Sequence, residues 1–110
     1  MNRFDEYQIL AARTAMYPNQ GNNLWYPALG LAGEAGEVAE KVKKIYRDQD
    51  GKVFLNDIDE LRKELGDVLW YVAALATELK ISLTFVAEMN IAKLQSRADR
   101  GVVSGSGDDR

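Results

Sequence analysis

The chain has no cysteine and no histidine among its 110 residues. That excludes disulfides, thiolate nucleophiles, zinc centres built from Cys or His, and the usual imidazole acid or base. Any chemistry must be carried by carboxylates, amines, hydroxyls or a bound ion. Prolines number only two, β-branched runs are few, and no apolar run approaches the ~20 residues needed to cross a bilayer. Excess positive charge is lacking too: 14 Lys and Arg stand against 17 Asp and Glu, a formal charge of -3. That balance offers no electrostatic reason to hold nucleic acid. The leading MNRFDEYQ is polar and acidic rather than signal-like. The expectation is a cytoplasmic protein with neither nucleic acid nor membrane as partner.

What is present points to helices. A hydrophobic share of 46% argues for a folded chain rather than a disordered one. At 110 residues it forms one domain, 1–110, with a core small enough for help from a partner subunit to be expected. Apolar spacings of three and four mark four segments: Arg3 to Tyr17, Leu24 to Tyr46, a third from the capping-box pattern Asp57-x-x-Glu60 to Leu79, and a fourth capped by Ser82 and running to Ala98. Pro27 falls in the first turn of the second, where it is tolerated. Asp50-Gly51 signals a turn, and Val53-Phe54-Leu55 is expected to form a short extended piece. The fold class is therefore all-α, an antiparallel bundle of four main helices completed by oligomerisation. The small and polar tail at 99–110 is expected to be mobile until something ties it down.

The stretch GLAGEAGEVAEKVKK, from Gly30 to Lys44, interleaves glycines with acids at helical spacing. On a helical wheel Leu31, Ala35, Val38, Val42 and Ile45 define one face, with Glu34 about 70° and Glu37 about 130° from its centre. On the third helix Ile58, Leu61, Leu65, Val68, Val72 and Leu79 define a face, with Glu64 about 60° and Asp67 about 120° round in the same sense. Packed antiparallel, the two helices would bring four carboxylates to one edge. Like charges so placed need a counterion, and hard oxygen ligands without His or Cys select Mg²⁺ or Mn²⁺, which bridge to phosphates. The competing interpretation is a solvated helix face, with Glu37 paired to Lys41 and Glu40 to Lys44. Gly30, Gly33 and Gly36 form a bare strip beside the acids, room for ions, a triphosphate or a partner helix. After Asp67 the run VLWYVAALA is apolar on nearly every side, so Glu64 and Asp67 are expected at a cleft mouth beside an interface with another subunit, and Trp70 either at that interface or simply inside a well-buried central helix.

The segments GLAGEAGEVAEKVKK and ELRKELGDVLWYVAALA resemble the ExxE and ExxD motifs of MazG-like proteins, all-α nucleoside triphosphate pyrophosphohydrolases. NIAKLQSRADRG is similar to that family's third region. The resemblance implies hydrolysis of a (deoxy)nucleoside triphosphate to the monophosphate and pyrophosphate, with Mg²⁺ held by Glu34, Glu37, Glu64 and Asp67. It also implies a homodimer or homotetramer whose sites are completed by neighbouring helices. Glu37 is the carboxylate best placed to take a proton from the attacking water. Asn90, Lys93 and Arg97 share one helix face, and the resemblance implies that they contact the nucleotide; Arg100 and Arg110 are candidates to close over phosphates. Trp25, Tyr26, Tyr7 and Gln8 are candidates for a base pocket. The alternative is a non-catalytic helical interaction module with solvated or interface-paired acids.

Overall fold

The structure is a computed structural model that describes residues 3–110. Four helices follow in order: α1 (Arg3–Arg13), α2 (Trp25–Asp48), α3 (Leu55–Glu78) and α4 (Leu83–Arg100). The described residues contain no strand; of the extended piece expected at Val53-Phe54-Leu55, Phe54 is extended and Leu55 already opens α3.

Local chemistry explains most helix ends. Ser82 caps α4, its hydroxyl accepting from the Phe85 N–H at 3.2 Å. At the start of α2 the cap comes from Asn23, whose side-chain oxygen accepts from the Tyr26 N–H at 3.0 Å. The start of α3 differs from expectation: Phe54 is the extended N-cap residue, and Asp57 sits inside the first turn. Its carboxylate accepts from the Phe54 N–H at 2.9 Å and from Gln49 Nε2 at 2.8 Å, and these bonds hold Asp57 below the usual aspartate range. The same aspartate therefore works as the back-reaching member of the box rather than as its cap. Helix α1 stops at Arg13, short of Tyr17. Thr14 Oγ1 turns back to the Ala11 carbonyl at 2.7 Å, and the chain leaves the helix so that Tyr17 reaches the buried Glu78, donating at 3.0 Å.

Helices α2 and α3 have 24 residues each, about 36 Å of helix. They run antiparallel, as their contacts show: Gly30 meets Tyr71, Lys41 bridges to Glu60 at 2.9 Å, and Gln49 reaches Asp57. One residue rises as the other falls. Helix α1 lies on α3, and α4 leaves α3 at 105° to pack on α1. That angle departs from a closed four-helix bundle. Gln8 holds the corner, donating to Thr77 Oγ1 and the Ile81 carbonyl and accepting from the Leu83 N–H at 2.8 Å.

The core at that corner is Ala11, Ala73 and Leu83, with Tyr7, Trp70 and Val72 packed against it. Trp70 is half-buried by its own chain: it packs on the core that includes Ala11 of α1, and its indole N–H donates to Thr14 Oγ1, just past the end of α1, at 2.8 Å. Much of the apolar stripe expected as core is instead open to solvent, with Leu65 58% and Val42 50% exposed. The Cα radius of gyration is 16.7 Å, against roughly 13 Å for a compact chain of this length.

Candidate metal centre

Because α2 and α3 are antiparallel, the flank carrying Glu34 meets the flank carrying Glu64 and Asp67. One carboxylate oxygen from each of the three lies within 4.8 Å of the others. Glu34 and Glu64 are half-buried and Asp67 is exposed. Burial first, then the charges of Asp67 and Glu64 and a hydrogen bond with Glu64, push Glu34 above the usual carboxylate range. Three carboxyl groups held this close, partly out of water, are a place where a cation would relieve their mutual repulsion.

Glu37, expected in the same set, lies outside the three-acid group and is exposed. Its charge still raises the pKa of Glu34 and supports the ammonium of Lys41. Lys41 does not pair with Glu37 along its helix. It crosses to Glu60 at 2.9 Å and stands 3.8 Å from Glu64. Glu40 does take the expected partner, Lys44 at 3.6 Å, with Lys43 closer at 2.8 Å. These pairs occupy Glu40 and Glu60 and reach Glu64, and among the described residues they leave Glu34 and Asp67 without an ion-pair partner.

A cleft of about 350 Å³ opens beside the acids, lined by Glu34, Asp67, Trp70 and Tyr71. Tyr71 is a residue that the sequence reading passed over, although its place four residues after Asp67 puts it on the same helix face. Its ring is edge-on to Trp70 at 5.0 Å and tilted to Tyr26 at 6.4 Å, while Tyr26 stacks flat on Tyr17 at 4.6 Å. Tyr7 feels the Asp67 charge, after burial the second cause of its raised pKa. Of the other base-pocket candidates, Gln8 is spent on the corner and Trp25 is 73% exposed.

The glycine strip is not uniform. A Cβ at Gly30 would overlap the Tyr71 ring, whereas one at Gly33 or Gly36 meets nothing within 4 Å. Gly30 therefore lets the cleft-lining tyrosine lie against α2.

The polar face of α4 lies apart from the acids. No α4 residue lines the cleft. Asn90 is exposed, while Lys93 and Arg97 are both engaged by Asp108 of the tail, at 3.2 and 3.3 Å. Arg100 and Arg110 likewise bind tail backbone. The tail is tied down by α4 itself.

With this geometry in view, the comparison with known families is decisive: the model of the MazG nucleotide pyrophosphohydrolase domain matches residues 27–102, well over half of the chain. The chain belongs to the MazG family. The matched span contains Glu34, Glu37, Glu64 and Asp67 together with Asn90, Lys93 and Arg97, and it leaves out α1 and most of the tail. A protein of Mycobacterium phage L5, the Gene 37 protein, is 54% identical over 111 residues, covering 96% of this chain and 97% of its own. No solved structure matches. As a MazG domain, the chain presents its acids on the two helices that the family model covers in full or nearly so.

Proposed function

We propose that this MazG domain hydrolyses a (deoxy)nucleoside triphosphate to the monophosphate and pyrophosphate. The observation that carries the proposal is the convergence of Glu34, Glu64 and Asp67 from two antiparallel helices beside an open cleft. Their hard oxygen donors fit Mg²⁺, with Mn²⁺ as a substitute, and Glu37 one turn along α2 would complete the set. Bound there, the ion would neutralise triphosphate oxygens and make a nearby water more acidic.

The chain's own groups account for the rest. Glu37, exposed and outside the cluster, is free to accept a proton from the attacking water. Tyr71 and Trp70 form an apolar wall that excludes solvent on one side of the cleft. At about 350 Å³ the cleft is near the lower end of ligand pockets. A second copy of the chain, in a homodimer or homotetramer, would cover the exposed apolar stripes of α2 and α3 and bring in Asn90, Lys93 and Arg97 from α4. We place the activity in the cytoplasm, where nucleoside triphosphates are the substrate pool.

Incubation with Mg²⁺ and each common ribo- and deoxyribonucleoside triphosphate, following pyrophosphate and monophosphate together, tests the proposal. Turnover of at least one nucleotide, lost in a folded Glu37→Gln variant, is expected. A folded protein that turns over none of them and binds no Mg²⁺ in calorimetry would instead be a helical interaction module.

A further inference from the structure

Residues 102–110 close on α4 as a strap. Gly101 ends the helix in the left-handed region at φ 72° and turns the chain back. Arg110 then staples the loop from inside, donating to the carbonyls of Val102 at 3.0 Å and Val103 at 2.9 Å, and Arg100 donates to the Arg110 carbonyl at 2.8 Å. The strap lays Asp108 over two cations of α4. Its carboxylate Oδ1 sits 3.2 Å from Lys93 Nζ and 3.3 Å from Arg97 Nη2, and its backbone carbonyl accepts from Nη2 at 2.7 Å.

Arg97 is buried to 4% exposure beneath this strap. No ligand from solution meets its guanidinium while the strap is closed. The grip is also incomplete: a single carboxylate oxygen serves both cations, and Arg97 Nε is buried without a partner. A guanidinium so placed fits a tetrahedral oxyanion, whose separate oxygens would take Nε, Nη2 and Lys93 together. Holding the strap down are pairs exposed on the Asp108 side, at 83%, and little apolar burial, with Val103 open to solvent. Such contacts belong to the easily opened part of a fold.

We propose that Asp108 is a built-in competitor at the anion site of α4: the strap occupies Lys93 and Arg97 until a phosphate-bearing ligand displaces it. This rests on the interpretation of Lys93 and Arg97 as phosphate-handling residues and adds the regulation of their access. The strap holds the site closed in the free protein, and phosphate binding and strap opening are one event.

Inorganic pyrophosphate in EDTA is the probe, since chelation removes any contribution from metal at the acid cluster. Calorimetry compares wild type, Asp108→Asn and Asp108→Asn/Lys93→Ala. Because the chain lacks cysteine, an Asp109→Cys protein takes one spin label that reports strap motion. Expected are affinity about two- to tenfold higher in Asp108→Asn, as befits losing one or two exposed ion pairs, and a label freed by pyrophosphate at the same midpoint. Equal affinity in wild type and Asp108→Asn, with loss in the double variant, would overturn the strap as competitor while leaving the phosphate site standing. No pyrophosphate binding by any variant would overturn both.

Discussion

Replacing Gly30 by alanine isolates the close approach on which the cleft depends. A Cβ there would lie within 2.5 Å of Tyr71 Cδ1 and Cζ, so the ring must move. It cannot swing freely, because Trp70 stands edge-on at 5.0 Å on one side and Tyr26 lies at 6.4 Å on the other. Overpacking of this kind costs about 1–3 kcal/mol, while glycine-to-alanine in a helix interior returns about 0.5–1 kcal/mol. Gly30→Ala should therefore run from nearly neutral to about 2.5 kcal/mol destabilising, the sum of those two effects. Gly33→Ala is the internal control, since its Cβ meets nothing within 4 Å; it should gain the helix term alone. The two variants share chemistry and helix, so the gap between them reads the Tyr71 contact directly. Thermal unfolding should separate them by about 4–8 °C per kcal/mol. Hydrolysis by Gly30→Ala should fall as well, because the displaced ring lines the cleft beside Glu34 and Asp67. Gly30→Ala melting at or above Gly33→Ala would refute the reasoning.

Three further outcomes follow from the same geometry. Glu34 has a folded-state pKa raised above its ordinary value, so its ionisation weakens the metal-free fold at neutral pH, and that cost disappears as pH falls through the raised pKa. In EDTA, Glu34→Gln should out-melt wild type at pH 7 and lose its advantage in acid; an advantage that persists at low pH would contradict the assignment. On the proposed metal site, added Mg²⁺ should stabilise wild type but not Glu34→Gln, as a ligand bound only by the native state would, and equal shifts in both would remove Glu34 from the site. Glu78→Ala strands the Tyr17 hydroxyl and the N–H groups of Gly21 and Asn23, all of which donate to one Glu78 oxygen, and should cost about 2–4 kcal/mol in urea unfolding. The Tyr17 phenol, pushed up to about 12 by burial and then by Glu78, should titrate lower in that variant; an unmoved phenol would show that the contact is not formed.

The acid cluster was legible because a helix converts spacing into angle. Glu34, Glu64 and Asp67 stand at fixed rotations from the apolar stripes, so once the two helices are antiparallel the carboxylates must meet. The same angles put Glu37 beside them, since it lies about 60° beyond Glu34 just as Asp67 lies about 60° beyond Glu64; the structure brings Asp67 into the group and leaves Glu37 outside it. Asp57 marked a helix start correctly but not its own place in the turn, since an aspartate satisfies backbone N–H groups from either side of the box.

The amino-acid sequence by itself determined the four helices, the Ser82 cap, the Asp50-Gly51 turn and the place of each acid on the wheel of its own helix, because each depends on residues within a turn or two of one another. Only the tertiary structure decided that α4 swings out at 105°, that Trp70 donates to Thr14, that Gly30 and not Gly33 receives Tyr71, and that the tail closes over Arg97. Those are choices between faces far apart in the chain. A local period fixes what a helix presents, and the packing of distant apolar and charged groups selects what meets it.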